Sequence, residues 1–275
     1  MENKNDLSHA EFFGWRRHPF SDAYPLTEPF LGDKEQRTAN AANSLFQVGK
    51  SLALAGPSGS GKSTLLQYIF SELDPNYYRT VLIHYGGLMR NGLLRAAADL
   101  LGVETNTRSL PLLMKLQKHI LDMSGHQNGL YPVIAVDDAQ LLERESLMDL
   151  CSMMVSPKKK TSAASLILVG DEQLAQMLDL DLMKPIKTRL TAVFRQEPLS
   201  ESDSEDFIRF RIEQAGAPAD LIMTDALALI VSHCRGNRRR IMNAATLLLE
   251  EAFFRKEKTV TSQLVLSCDL IDISG

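Results

Sequence analysis

Eight consecutive residues of this chain have the types and the spacing needed to hold phosphate. Residues 56–63 are Gly-Pro-Ser-Gly-Ser-Gly-Lys-Ser, which fits the pattern G-x-x-x-x-G-K-[ST]. Small residues let the backbone fold closely around a phosphate, so that its N–H groups point inward, and a following helix adds partial positive charge. Lys62 is expected to reach the β- and γ-phosphates of ATP, and the Ser63 hydroxyl to join the shell of Mg²⁺. The predicted nucleotide-binding residues are Gly56, Pro57, Ser58, Gly59, Ser60, Gly61, Lys62, Ser63 and Thr64.

Two consecutive acids follow a second apolar run, as in a Walker B strand. Residues 133–136 are Val-Ile-Ala-Val, and Asp137 and Asp138 come directly after them. Ligands bind at the carboxyl ends of parallel strands, so Asp137 is predicted to hold Mg²⁺, directly or through water. Asp138 is predicted to be the base that polarises the attacking water. As an alternative, the pair caps the next helix, since Asp is a favourable N-cap residue.

Alternating strands and helices surround these two segments. Short runs rich in branched apolar residues predict strands, and apolar residues at helical spacing predict helices. The predicted strands span residues 51–55, 80–85, 131–138, 165–170 and 192–198. The predicted helices of this part span residues 33–48, 64–70, 91–101, 110–123 and 140–155. Such alternation predicts an α/β fold with a mostly parallel sheet that is covered by helices on both faces.

The pattern changes at about Leu199, beyond which no strand is predicted. Helices are expected at residues 203–215, 224–234 and 238–254, whereas residues 259–275 have no clear pattern. Near the N-terminus, aromatic residues beside Pro19 predict a docked segment rather than a helix. The predicted organisation is an N-terminal docking segment and helix (1–45), a P-loop ATPase core (46–198) and a small all-helical domain (199–275).

The composition is that of an ordinary globular protein, and it excludes several classes. Of the 275 residues, 44% are hydrophobic and 23% are charged, which suits a folded chain with a sizeable core. The net charge of -4 argues against a generally basic nucleic-acid binder, so any DNA contact must come from local patches. The three cysteines are too scattered for a disulfide framework or a metal site. A polar N-terminus and the lack of an apolar run of about 20 residues predict a cytoplasmic protein with no membrane segment.

Several short motifs, in order along nearly the whole chain, resemble the ExeA-like AAA+ ATPases. That family was first described with the general secretion pathway and is similar to transposition ATPases such as the Mu phage B protein and the TniB proteins. The matching segments are residues 12–14, 19–20, 56–63, 137–140, 168–170, 189–190, 198–200, 207–216 and 236–239. Two positions depart from the family pattern, since Asp138 replaces Glu and Arg238 replaces Pro. The resemblance implies an AAA+ P-loop core followed by a small helical lid domain.

The resemblance also implies roles for two arginines. Arg239 matches the sensor-2 arginine, which reaches from the lid to the γ-phosphate; the alternative is a solvated helix start beside two other arginines. Arg189 matches the arginine-finger region, which acts on ATP of a neighbouring subunit, although Lys187 and Arg195 lie close in sequence. Such fingers stabilise charge in the transition state. Asp171 stands where a polar sensor-1 residue is expected, and an acid is unusual beside phosphate.

A run of three lysines is the first candidate for contact with DNA. Lys158, Lys159 and Lys160 connect the helix after Asp138 to the next strand, where they could neutralise phosphates without recognising sequence. The alternative is a solvated loop, the usual outcome for a short charge run. Arginines 235 and 238–240 form a second candidate patch.

Three functions remain open on the sequence. The first is an oligomeric ATPase, a ring or a filament, that binds double-stranded DNA and recruits or activates a transposase. The second is an ATPase that acts on a protein target in secretion or envelope assembly. Secretion members of the family usually continue into a membrane helix and an outer domain, so the end of this chain at Gly275 favours the first function. The third is a nucleotide switch that hydrolyses ATP slowly, because Asp138 is one methylene shorter than the usual Glu.

Overall fold

Five parallel strands form one sheet in the computed structural model, which describes residues 8–23, 28–84, 90–105, 110–125, 129–156 and 161–269. The strands are β1 (Ser51–Ala55), β2 (Tyr78–His84), β3 (Tyr131–Asp137), β4 (Ser165–Gly170) and β5 (Leu190–Arg195). Their order across the sheet is β2-β3-β4-β1-β5, and every neighbouring pair is parallel. The predicted α/β fold with a parallel sheet is therefore confirmed.

Helices connect the strands and make up the C-terminal part of the described chain. They are α1 (His9–Phe13), α2 (Asp33–Gln47), α3 (Lys62–Ser71), α4 (Arg90–Leu101), α5 (Leu112–Gly125), α6 (Arg144–Met153), α7 (Glu172–Leu178), α8 (Lys184–Lys187), α9 (Glu201–Gln214), α10 (Thr224–Cys234), α11 (Arg238–Arg255) and α12 (Ser262–Ser267). Short 3₁₀ turns lie at Ala139–Leu141 and Asp181–Met183. Within the described ranges, no helix is both long enough and apolar enough to cross a membrane.

The central strands are apolar along their whole length because both of their faces are covered. Every residue of β4 is buried, and so are residues 132–136 of β3. Parallel strands that are covered on both sides carry continuous rather than alternating apolar residues. Side chains from α4, α5 and α6 complete the core on this sheet. This packing holds the carboxyl ends of the strands in fixed positions.

Several local predictions differ from the structure, among them the last strand, which was expected at residues 192–198 and spans Leu190–Arg195. The predicted helix 140–155 is interrupted, because the 3₁₀ turn ends at Leu141 and both Leu142 and Glu143 are extended before α6 begins. The predicted non-helical segment around Phe12 and Phe13 contains α1, which Ser8 and Glu11 start with a capping box. The predicted strand 80–85 begins earlier, at Tyr78, and Tyr85 lies outside the described residues. Helices α7, α8 and α12 had no counterpart in the sequence prediction.

Contacts divide the described residues into two compact units. One unit contains Asp33–Ser58 and Lys62–Gln196, which include the sheet. The other combines the N-terminal residues up to Gly32, the short piece Gly59–Gly61 and the residues from Glu197 onward. The three-part division at residues 45 and 198 remains a prediction from sequence.

The second unit has a core of its own, to which the N-terminal segment contributes. Phe13, Trp15 and Phe20 pack in one apolar cluster with residues of α9 to α12. The buried guanidinium of Arg211 donates from Nε to the carbonyl of Pro19 at 2.7 Å and from Nη2 to the carbonyl of Ser21 at 2.8 Å. These bonds tie the N-terminal segment to α9.

Candidate nucleotide-binding site

The phosphate loop connects β1 to α3, as the sequence predicts. Gly59 and Gly61 have φ values of +81° and +99°, in the left-handed region that favours glycine. Lys62 begins α3, and its Nζ donates to the carbonyl oxygens of Gly56 at 2.8 Å and Pro57 at 2.9 Å. The ammonium therefore lies against the start of the loop rather than pointing away from it. Ser63 follows in the first turn of α3 and is exposed.

Gly56 enters the loop between the ends of two strands that flank β1. Its N–H donates to the carbonyl of Gly170, the last residue of β4, at 3.3 Å. On the other side, the N–H of Gln196 donates to the carbonyl of Ala55 at 2.7 Å. A Cβ atom on Gly56 would lie 2.2 Å from the carbonyl oxygen of Gln196. The loop therefore begins at a position where only glycine fits without moving β5.

The loop residues fit a nucleoside triphosphate with Mg²⁺. The left-handed glycines allow the tight turn that such a loop needs, and the first turn of α3 adds the helix N-terminus. The exposed hydroxyls of Ser63 and Thr64 are oxygen ligands of the kind that Mg²⁺ accepts. The Lys62 ammonium supplies a positive charge beside the same loop.

The two acids lie at the same edge of the sheet as the loop. Val136 pairs with Leu168, which in turn pairs with Ala53, so Asp137 is level with the end of β1. Strand β4 separates β3 from β1, and two strand spacings amount to roughly 10 Å. The Asp137 carboxylate lies 3.8 Å from Nδ1 of His84, at the end of β2.

Asp138 turns the chain sharply after β3. Its φ of 53° and ψ of 37° are left-handed, which Asp tolerates better than most residues because of its short polar side chain. Its N–H donates to Oδ1 of Asp137 at 3.0 Å, and its own Oδ1 accepts from Nε2 of Gln140 at 3.2 Å. The Asp138 side chain makes no capping bond to the following 3₁₀ turn. Helix capping therefore does not account for this acid.

Asp171 serves as a helix cap. Its carboxylate accepts from the N–H of Gln173 at 2.8 Å and begins α7. That bond explains why an acid is acceptable at the position where the resemblance implies a polar sensor residue, since Asp is a good N-cap.

Arg189 lies at the amino ends of the strands, whereas the loop lies at their carboxyl ends. It immediately precedes Leu190, which pairs with Ser51 at the start of β1. The five residues of β1 separate Leu190 from the phosphate loop by about 17 Å, at roughly 3.3 Å per residue. This distance is longer than an arginine side chain. Arg189 is exposed there, beside Lys50 and Cys151. It cannot reach the phosphate loop of its own chain, which leaves action on a neighbouring copy as its predicted role.

The two arginines that begin α11 have different surroundings. Arg239 is exposed, and its backbone N–H donates to the carbonyl of Gly59 at 3.3 Å. Arg238 is buried, its Nη1 donates to the carbonyl of Ser60 at 2.5 Å, and its guanidinium lies 5.8 Å from the ring centroid of Phe207. The sequence prediction treated Arg238 as a departure from the family's Pro and as part of the second candidate DNA patch, and it missed this contact.

The predicted DNA contacts Lys158, Lys159 and Lys160 lie outside the described residues. Arg235 and Arg240, of the second candidate patch, are exposed near the start of α11. Arg238 is buried and does not belong to an accessible surface.

Comparison with known proteins finds similarity to one domain family and to one curated relative. Residues 47–178 match the model of the AAA domain. The chain is 27% identical over 274 residues to general secretion pathway protein A of Aeromonas hydrophila, covering 97% of this chain and 49% of that protein. The chain thus spans about half the length of this curated relative.

Solved structures share the fold. The ORC2 protein of Aeropyrum pernix with ADPNP and ADP has a TM-score of 0.70 at 15% identity, over 91% of this chain and 71% of that one. The ORC1 protein of the same organism in complex with DNA has a TM-score of 0.67 at 16% identity, over 92% of this chain and 68% of that one. The range that matches the AAA domain contains the phosphate loop and the two acids. The chain is therefore similar to proteins with an AAA domain and to general secretion pathway protein A.

Proposed function

We propose that this protein binds ATP with Mg²⁺, hydrolyses it, and uses the bound state to assemble on double-stranded DNA in the cytoplasm. There it recruits or activates a transposase. The observation that carries the ATPase part is that the phosphate loop and the acids Asp137 and Asp138 lie at one carboxyl edge of the sheet, two strand spacings apart. Ligands of open parallel sheets bind at that edge.

Each residue of the site has a separate role in phosphoryl transfer. When bound, Mg²⁺–ATP supplies the γ-phosphoryl group and the ADP leaving group. Lys62 neutralises charge on the β- and γ-oxygens, and Ser63 and Asp137 hold the metal. Asp138 accepts a hydrogen bond from the attacking water and orients it.

Two arginines add positive charge where negative charge develops. Arg239 acts from the lid domain of the same chain as sensor 2. Arg189 acts on ATP of the next subunit, because its place at the far end of β5 prevents it from acting in its own chain. The site is therefore complete only in a homo-oligomer, either a ring or a filament.

Exposed basic side chains support duplex DNA as the partner. Arg235 and Arg240 are exposed near the start of α11. Lys158–Lys160 add three charges, and contacts of this type bind phosphates irrespective of base sequence. The similar fold of the ORC1 protein in complex with DNA is consistent with this partner.

Fluorescence anisotropy with labelled duplex DNA tests the proposal, with ATP, ADP or no nucleotide across a salt series. We expect binding that requires ATP, is lost in Lys62→Ala and weakens steeply with salt. Changing Lys158–Lys160 to Ala should make the slope of log K against log salt about 2.7 smaller, since each phosphate contact contributes roughly 0.9. The matched control changes the dispersed, exposed lysines Lys118, Lys184 and Lys258 to Ala and should leave the slope unchanged.

A protein-directed ATPase in secretion or envelope assembly is the second candidate, favoured by the identity with general secretion pathway protein A. Absence of DNA binding at low salt with every nucleotide, together with normal ATP turnover, would replace the first proposal with this one. The third candidate, a slow switch, is favoured by Asp138 in place of Glu. A kcat on saturating DNA far below about 1 per second, the low end for typical enzymes, with assembly intact, would establish it.

A further inference from the structure

Three hydrogen bonds connect the first residue of the phosphate loop to Asp138. The N–H of Gly56 donates to the carbonyl of Gly170 at 3.3 Å. The N–H of Asp171 donates to Oε1 of Gln140 at 3.3 Å. Nε2 of Gln140 donates to Oδ1 of Asp138 at 3.2 Å. The first two bonds use the two ends of one peptide group, that between Gly170 and Asp171.

The two partners of Gln140 determine the orientation of its amide. A backbone N–H can only donate, so the amide oxygen must face Asp171. A carboxylate can only accept, so the amide nitrogen must face Asp138. Glutamine is the side chain that offers both groups at this reach, whereas Glu lacks the donor and Met lacks both.

The surrounding backbone leaves space for this side chain. A Cβ atom on Gly170 would lie 2.5 Å from Oε1 of Gln140 and 2.9 Å from Cβ of Leu174. The left-handed turn at Asp138 and the 3₁₀ turn after it bring Gln140 back toward β4. Strand β4 lies between β1 and β3, so its last peptide group can contact the loop on one side and Gln140 on the other.

We infer that Gln140 is a positioning residue that couples the phosphate loop to the orientation of Asp138. A peptide group is planar, so a shift of its carbonyl with Gly56 also moves its N–H and the Gln140 amide bonded to it. The inference rests on the proposed function, in which Asp138 orients the attacking water. It assigns Gln140 to the chemical step, not to nucleotide binding, since its bonds reach Asp138 and the N–H of Asp171 and no residue of the loop itself.

Steady-state ATP turnover and the Kd of a fluorescent ATP analogue test this role. Gln140→Met removes both bonds while keeping the length of the side chain. Gln140→Glu keeps the acceptor for Asp171 but faces Asp138 with a second carboxylate. We expect both variants to lower kcat about ten- to a hundredfold, as small misplacements of a catalytic group do, with Kd and KM within about twofold of the unchanged protein. The control Gln176→Met, at an exposed position of α7, should have normal kcat.

A double-mutant cycle with Asp138→Asn separates this role from general damage to the fold. If Gln140 acts through Asp138, then adding Gln140→Met to Asp138→Asn lowers kcat by less than about twofold further. Additive losses, or a Gln140→Met kcat within twofold of the unchanged protein, would overturn the inference and leave Asp138 as the base. Normal turnover by Asp138→Asn alone would overturn the proposed base and the inference together.

A second measurement does not depend on ATP turnover. Loss of its acceptor in Gln140→Met should speed hydrogen exchange at the Asp171 amide, measured by NMR, whereas Gln140→Glu should leave that amide protected. Unchanged protection in Gln140→Met would show that Gln140 does not hold this peptide group and would refute the coupling.

Discussion

Replacement of Asp138 separates its chemistry from its backbone conformation. The residue is exposed and left-handed, with φ of 53°. We consider three variants, Asp138→Asn, Asp138→Gly and Asp138→Ala. Asn keeps the size of the side chain and tolerates the left-handed conformation. Gly also tolerates it, because it has no Cβ atom. Ala has a shorter side chain and does not tolerate this conformation.

We expect all three variants to lose activity to a similar degree but to differ in stability. Loss of the carboxylate should lower kcat about 10²- to 10⁴-fold in all three variants, the usual contribution of a general base. Affinity for ATP should stay within about twofold, since Lys62 and the loop are unchanged. Left-handed backbone costs a residue with a Cβ atom about 1 kcal/mol or more, so Ala should be the least stable of the three. That cost corresponds to a Tm about 2–4 °C below that of the Gly variant.

Phosphate release at saturating ATP gives kcat, and thermal unfolding followed by circular dichroism gives the stability order. In helices and strands Ala normally stabilises relative to Gly, so the reversed order is specific to a left-handed position. A wild-type kcat for Asp138→Asn would refute the assignment of the base. An Ala variant as stable as the Gly variant would refute the strained turn.

Two further predictions concern buried groups. Arg211→Met should lower the free energy of unfolding by about 2–3 kcal/mol in urea denaturation, because two charge-assisted bonds to the carbonyls of Pro19 and Ser21 are lost. The exposed Arg209→Met should change it by less than about 1 kcal/mol, and equal effects would contradict the tie to the N-terminal segment. Burial raises the pKa of the Cys151 thiol to about 11. The folded protein therefore holds this proton more tightly than the unfolded chain. The resulting contribution to the free energy of unfolding is present in full below about pH 9, and it falls by up to about 1.4 kcal/mol per pH unit as the pH rises toward 11. Cys151→Ala should remove this part of the pH dependence in urea denaturation, and an unchanged difference between the two proteins from pH 8 to 10.5 would disprove it.

Local patterns in the sequence were sufficient to predict the sheet and the phosphate loop. Each strand is a short apolar run that its neighbours cover on both faces, so its composition alone distinguishes it. The loop needs small residues and a following helix, which are adjacent in sequence. Position at the carboxyl end of a strand was enough to bring Asp137 to the edge that carries the loop.

Short local signals were missed where they competed with a longer pattern. Apolar residues from 140 to 155 have helical spacing, but the left-handed turn at Asp138 and the extended Glu143 interrupt that helix. The capping box of Ser8 and Glu11 starts a five-residue helix among aromatic residues. A capping pair beside a weak pattern would have been the signal for it.

The sequence by itself determined the parts whose chemistry depends on neighbouring residues: the loop, its lysine and serine, the two acids, and the apolar strands that carry them. The tertiary structure alone decided which distant groups meet. It inserted β4 between the two site strands, set Arg189 at the edge away from its own loop, and brought Gln140 to the peptide group after Gly170. It also buried Arg238 against the Ser60 carbonyl. The physical reason is that a spacing along the chain specifies local geometry, whereas contacts between residues many positions apart depend on strand order and packing.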